Sequence, residues 1–242
     1  MDRLRKIIRD APQGEPPVLR WVRRAPQGIT GPGRSLGVFP ASFNPPTIAH
    51  RTLIQRARSV EPIDETVLIL DRRPLDKRIF GASLEERLSM ILLCFEKDPT
   101  VSVAFTNAGL FVDKLALLLQ TYPDNTTIRF IVGSDTLIRV LDRKYYENRD
   151  ASLKRLFADS RFLVATRRNV GLKEIEKLLD REENRPFSER IALFKIPLSI
   201  GHLSSTRARN RIRRGGNVDE IIPKEIVSYV KRRGLYEKMR QG

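Results

Sequence analysis

Leu36-Gly-Val-Phe-Pro-Ala-Ser-Phe-Asn-Pro-Pro-Thr-Ile-Ala-His50 is the stretch around which the remaining segments arrange themselves. It opens with an apolar run, Leu36 to Phe39, that reads as a buried strand. Small and turn-forming residues follow: Pro40, Ala41, Ser42, Asn44, Pro45 and Pro46. From Thr47 to Val60 the pattern turns helical, with Ile48, Leu53, Ile54 and Ala57 at helix-face spacings. A strand, a tight loop and a helix start bring free backbone N–H groups and the positive end of a helix dipole to one point. That is the geometry of an anion site. Thr47 and His50 lie three apart on the first turn, so a hydroxyl and an imidazole share its face.

Five further strand patterns follow: 65–71, 100–105, 127–132, 161–166 and 191–196. Helical patterns separate them: 83–95, which opens on the capping box Ser83-Leu-Glu-Glu86, then 111–121, a helix around Leu137, Val140 and Leu141, and 172–182. Two helices close the chain, one after Ser205 that stops at Gly215-Gly216 and one from Pro223 that stops at Gly234. Strands spaced by helices of this length predict an α/β fold. It is a doubly wound, mostly parallel sheet with helices on both faces and C-terminal helices. Ligands in such sheets collect at the carboxyl ends of the strands. The candidate loops are therefore 39–50, 71–80 and 133–146, joined by the helix start at 204–209.

Residues 1–34 read as a basic, Pro/Gly-rich N-terminal extension, and 35–242 as the main domain, with a helical part at 204–240. The tetrapeptide Ala11-Pro-Gln-Gly14 recurs as Ala25-Pro-Gln-Gly28, and the density of Pro and Gly from Pro12 to Gly33 opposes regular structure. Trp21 with Arg20, Arg23 and Arg24 fits either nucleic-acid stacking or a tail packed in a groove, and the packed tail is the commoner arrangement.

The formal charge is +16 over 242 residues, which points to polyanionic ligands: nucleotides, nucleic acid or an acidic surface. Its excess sits at the two ends, with eight Lys/Arg against three acids in 1–34 and eleven against four in 201–242. No apolar run is long enough to cross a bilayer, and the N-terminus lacks a secretory apolar core. Cys94, the single cysteine, lies in an apolar helical stretch, so a small core residue, no internal disulfide and a reducing cytoplasm are expected. One Cys and two His argue against a zinc site, and no metal ligands are assigned. Neither Gly-x-Gly-x-x-Gly nor Gly-x-x-x-x-Gly-Lys-Ser/Thr occurs, so the common dinucleotide and P-loop readings lose support.

At Leu203-Ser-Ser-Thr-Arg-Ala-Arg209 hydroxyls meet a predicted helix N-terminus with arginines in its first turn. Arginines oppose the dipole there. A bound phosphate chain would offset that cost through charge-assisted hydrogen bonds, and N-capping by Ser205 with exposed arginines is the plainer alternative.

The string Phe43-Asn-Pro-Pro-Thr-Ile-Ala-His50 resembles the (His/Thr)-x-Gly-His signature of the nucleotidyltransferase superfamily, with Ala49 in place of the usual Gly. Its Phe-Asn-Pro opening resembles the nicotinamide and nicotinate mononucleotide adenylyltransferases. Ser204-Ser-Thr-Arg-Ala-Arg209 is similar to the Ser-Ser-Thr-x-x-Arg signature that accompanies it, with Leu203 for the preceding Ile. The resemblance covers roughly residues 36–237 and implies a Rossmann-like nucleotidyltransferase. ATP and a pyridine mononucleotide would be the substrates, and Mg²⁺ would be held mainly by the ATP phosphates. It implies catalytic roles for His50, Thr47 and Lys77. The ATP site would draw on Phe39, Ala41, Ser42, Phe43, His50, Gly133, Asp135, Ser205, Thr206, Arg207 and Arg209. The acceptor site would draw on Asn44, Lys77, Asn107, Tyr145 and Tyr146, the two tyrosines standing where the family usually stacks a Trp on the pyridine ring. Lys77 is equally an ordinary loop lysine. At the resembled Gly-Ala-Asp motif, Gly133-Ser-Asp135, ribose contact and helix capping by Ser134 or Asp135 both remain open. A different acceptor or nucleotide on the same fold, or an inactive relative that binds nucleic acid through its basic ends, are the competing readings; homo-oligomerisation is left open.

Overall fold

The computed structural model describes residues 2–10, 16–72, 79–166 and 171–237. Among these described residues seven strands form one sheet: β1 (Leu19–Arg23), β2 (Ser35–Pro40), β3 (Glu65–Asp71), β4 (Val101–Thr106), β5 (Thr127–Gly133), β6 (Ser160–Thr166) and β7 (Ile191–Lys195). Their spatial order is β1-β4-β3-β2-β5-β6-β7. All neighbours pair in parallel except β1, which runs antiparallel to β4. From β2 the chain winds outward through β3 and β4, then returns to the other side of β2 for β5 to β7. The reversal places a crevice beyond the carboxyl ends of β2 and β5, where doubly wound sheets bind ligands.

Both faces are covered, which is why the central strands read as continuous apolar runs rather than alternating ones. One face packs α2 (Ile48–Val60), α3 (Leu84–Cys94), α9 (Ser205–Arg213) and α10 (Lys224–Arg233) around Leu53, Leu68, Leu88, Ile222 and Val230. Helix α1 (Asp2–Arg9) and the short α8 (Leu198–Gly201) lie at its margin. The other face packs α4 (Phe111–Leu119), α5 (Ser134–Leu141), α6 (Arg149–Ala158) and α7 (Leu172–Leu179) around Phe130, Leu137, Leu153 and Phe162. Ser83 and Glu86 form the expected capping box. Cys94 is buried, and burial pushes its thiol up to about 11. No helix of the described residues is long and apolar enough to cross a membrane.

Three elements depart from the sequence expectation. The Pro/Gly-rich N-terminal stretch contributes β1 to the sheet edge. Trp21 on that strand packs edge-on against Tyr122 at 6.1 Å, and the Arg24 guanidinium lies 4.1 Å over its ring, so the packed arrangement holds. The segment is tied down by the fully buried Glu65 carboxylate, which accepts from Ile29 N–H (2.7 Å), Ser102 Oγ (2.5 Å) and Tyr122 Oη (2.6 Å). Helix α6 follows the N-cap Asn148, whose Oδ1 accepts from Ala151 N–H at 3.1 Å. Its weak amphipathicity hides it, because Arg149 is itself buried and breaks the apolar face. Helix α8 is a single turn after Pro197, too short for a periodic signal.

Candidate active site

At the carboxyl edge of the sheet lies a cavity of about 430 Å³. Phe39 and Pro40 at the end of β2, and Ala41 and Ser42 in the loop after it, line it. The chain then turns at Phe43, whose φ of 44° lies in the left-handed region that a bulky residue rarely adopts. Burial of the Phe43 ring offsets that strain. It is fully buried, 5.5 Å from Phe39 and 5.0 Å from the His50 ring. Phe43 therefore backs the imidazole rather than lining the cavity, which corrects its expected place in the ATP site.

Thr47 is the N-cap of α2. Its backbone N–H donates to His50 Nδ1 at 2.9 Å, and its Oγ1 lies 2.8 Å from the same nitrogen. An N–H donor facing Nδ1 makes that nitrogen an acceptor, so the neutral imidazole carries its proton on Nε2. Thr47 and His50 both line the cavity.

The second motif arrives from α9. Ser204 is its N-cap and accepts from Arg207 N–H at 3.1 Å, so the cap is Ser204 rather than Ser205. Ser205 Oγ instead donates to the Pro45 carbonyl at 2.8 Å, and Arg209 Nη1 donates to the Asn44 carbonyl at 2.5 Å. Arg209 Nη2 also donates to Thr206 Oγ1 at 3.2 Å. The two motifs, some 160 residues apart, are thus bonded to one another at the cavity wall. Burial pulls the Arg209 guanidinium below the ordinary arginine value, and among the described residues it makes no ion pair. A half-buried cation that faces a cavity and has no carboxylate paired to it among the described residues favours an anionic ligand. Arg207 is exposed and outside the cavity lining, a correction to its expected ATP contact.

The opposite wall belongs to the other helical layer: Gly109, Leu110 and Phe111 at the start of α4, Gly133, Asp135, Thr136 and Arg139 along α5, and Tyr145 and Tyr146 beyond it. Asp135 is exposed to the cavity at the N-terminal turn of α5, and Ser134 Oγ donates to the Ala165 carbonyl at 3.2 Å, so neither side chain caps the helix. Tyr146 donates to the Val140 carbonyl at 2.7 Å, which fixes its ring, and burial pushes its hydroxyl up to about 12. Asn107 does not line the cavity. Its Oδ1 accepts from Val18 N–H at 2.7 Å and its Nδ2 donates to the Pro16 carbonyl, so it anchors the N-terminal segment instead of an acceptor ring. Asn44 does line the cavity, but its carboxamide is engaged within the protein: Oδ1 with Tyr236 and Nδ2 with the Phe80 carbonyl. Lys77 lies outside the described residues.

Sequence reasoning missed Asp71, at the carboxyl end of β3. It lines the cavity, and desolvation raises its carboxyl above the usual range despite Lys114. Lys114, with a side chain 1% exposed, holds its Nζ 3.1 Å from Asp71 Oδ1, at ion-pair distance but off the line of a hydrogen bond. The same Nζ donates to the carbonyls of Ala108 (2.8 Å) and Gly109 (2.9 Å). The signal available beforehand was position alone, the terminal residue of a central strand. Among the described residues no group of three or more His, Cys, Asp or Glu can hold a metal ion.

The cytidylyltransferase-like family model matches residues 38–211. A Schizosaccharomyces pombe protein assigned as a nicotinamide mononucleotide adenylyltransferase is 33% identical over 210 residues, covering 80% of this chain and 83% of that one. A Moorella thermoacetica protein assigned as a nicotinate-nucleotide adenylyltransferase is 25% identical over 88% of this chain and 96% of its own. In fold, the chain is similar to the Plasmodium falciparum nicotinic acid mononucleotide adenylyltransferase complexed with NaAD, with a TM-score of 0.63 at 18% identity, over 84% of this chain and 97% of that one. With its sheet order, its two joined motifs and a family match over most of its length, the chain belongs to the cytidylyltransferase-like family of nucleotidyltransferases.

Proposed function

We propose that the protein transfers the adenylyl group of ATP to nicotinamide or nicotinate mononucleotide, giving NAD or deamido-NAD and pyrophosphate. The observation that carries this reading is the junction of the His50 and Ser205–Arg209 segments through Asn44 and Pro45 at one cavity. An oxygen of the acceptor's phosphate attacks the α-phosphorus of ATP. The bond to the β-phosphate bridging oxygen breaks, and its electron pair leaves with pyrophosphate. Such a transfer needs positioning and charge neutralisation rather than a covalent intermediate.

Nε2–H of His50 donates to an α-phosphate oxygen, and its orientation is set by the Thr47 N–H on the far side of the ring. Ser205, Thr206 and Arg209 hold the β- and γ-phosphates at the N-terminus of α9. The Asp135 carboxylate accepts from ribose hydroxyls, and Tyr145 and Tyr146 offer aromatic surface to the acceptor ring. Lys77 is assigned to the acceptor phosphate on the motif resemblance. Mg²⁺ would be held mainly by the ATP phosphates, as the motif resemblance implies. When bound, it would neutralise phosphate charge.

Pyrophosphate release, measured with ATP against each mononucleotide and with other nucleoside triphosphates against the favoured acceptor, tests the assignment. Turnover is expected with ATP and at least one pyridine mononucleotide. Turnover only with another acceptor or nucleotide would reassign the substrate. No turnover, together with steeply salt-dependent RNA or DNA binding, would favour a nucleic-acid role.

Tyr146→Ala is expected to raise the acceptor KM about tenfold and leave that of ATP nearly unchanged, because stacking a base on an aromatic ring is worth about 1–3 kcal/mol. Steady-state kinetics with each substrate varied in turn checks this. A rise confined to the ATP KM would remove Tyr146 from the acceptor wall.

A further inference from the structure

Tyr236 follows the last helix and lies 192 positions from the loop it touches. Its hydroxyl donates to Asn44 Oδ1 at 2.7 Å, and both residues are buried, at 6% and 3% exposure. Its backbone adopts φ 67°, a left-handed conformation that a tyrosine holds only when its surroundings impose it. The turn begins at Gly234, which supplies the left-handed cap of α10 with φ 59°. On its other side the Tyr236 ring lies against Gly81, where a Cβ would come within 2.6 Å of ring carbon Cδ1. Gly81 follows Phe80, whose carbonyl accepts from Asn44 Nδ2 at 3.0 Å.

Asn44 is therefore held at three points. Tyr236 takes its amide oxygen, Phe80 takes its amide nitrogen, and Arg209 takes its backbone carbonyl. The residue before it, Phe43, backs the His50 ring, and the residue after it, Pro45, receives Ser205. A shift of Asn44 thus moves the imidazole and the α9 phosphate-binding group relative to one another.

We propose that Tyr236 is a positioning residue for this reaction, acting through Asn44 to hold the His50 loop in register with α9. The proposal rests on the adenylyl-transfer reading for its kinetic consequence but not for its structural one. Tyr236→Phe keeps the ring against Gly81 and removes only the hydroxyl. Losing one buried hydrogen bond in a positioning network is expected to lower kcat about tenfold. The acceptor KM should stay near that of the unaltered protein, and the unfolding midpoint should move by less than about 5 °C.

A second readout needs no substrate. The chain has two histidines, His50 and the exposed His202, so their ring resonances can be assigned with His202→Gln. Tyr236→Phe should shift the His50 ring resonances and leave those of His202 in place. Unchanged kcat with unchanged His50 resonances overturns the proposal. So does a fall of kcat and of the unfolding midpoint together with a rise of both KM values, which marks ordinary packing. If the unaltered protein releases no pyrophosphate with any mononucleotide, the reaction assignment fails, and the His50 resonances alone decide the role of Tyr236: a shift upholds it, no shift refutes it.

Discussion

His50→Ala is expected to lower kcat by about 10²–10³-fold, the cost of removing one preorganised donor from a developing charge at a transferring group. The structure makes the ring hard to replace. Thr47 N–H, 2.9 Å from Nδ1, sets the tautomer, and Phe43 and Phe39 set the ring plane from 5.0 and 5.8 Å. The substitution also removes the side chain that caps the Thr47 N–H, so a stability loss of about 1 kcal/mol accompanies it. That loss is small against the kinetic one, and the two separate when kcat is measured well below the unfolding midpoint. Ordinary turnover in the variant would take His50 out of the chemistry.

Lys114→Met is expected to be the most destabilising single change at the site, by about 3–5 kcal/mol at neutral pH, the range for breaking a buried pair from one side. It strands the Asp71 carboxylate and leaves the Ala108 and Gly109 carbonyls without their donor. The pH dependence follows from Asp71, whose carboxyl is already raised by burial. Removing Lys114, which pulls that value down, raises it further; above it the stranded group is charged and the penalty is complete. Below it the group is neutral, and the penalty shrinks as the pH falls through it. The double variant Asp71→Asn, Lys114→Met should recover part of the loss. Denaturant unfolding followed from acid to neutral pH checks both. A penalty independent of pH would mean that the carbonyls, not the carboxylate, are what Lys114 serves.

The parallel architecture was legible because buried strands and their crossover helices leave strong local patterns, as in Glu65–Asp71 and the box at Ser83. Both cavity-lining motifs were legible for the same reason, since each is a strand or helix end with its chemistry on adjacent residues. Strand β1 was not legible. It lies among prolines and glycines and owes its place to β4 and to the Glu65 network, both distant in sequence. Asn107 was misplaced on proximity in the chain, because its partners, Val18 and Pro16, come from that same unforeseen segment.

By itself the sequence determined the doubly wound sheet, the strand–loop–helix turn at Thr47–His50 and the hydroxyl-rich helix start at Ser205, for these are short-range matters of periodicity, capping and dipole. Only the tertiary structure decided that Asn44 and Pro45 bind Arg209 and Ser205, that Lys114 sits beside Asp71, and that a tyrosine near the end of the chain grips the first loop. Those are contacts between segments from different elements. Which donor meets which acceptor there is settled by how the layers pack on the sheet, and no local pattern carries it.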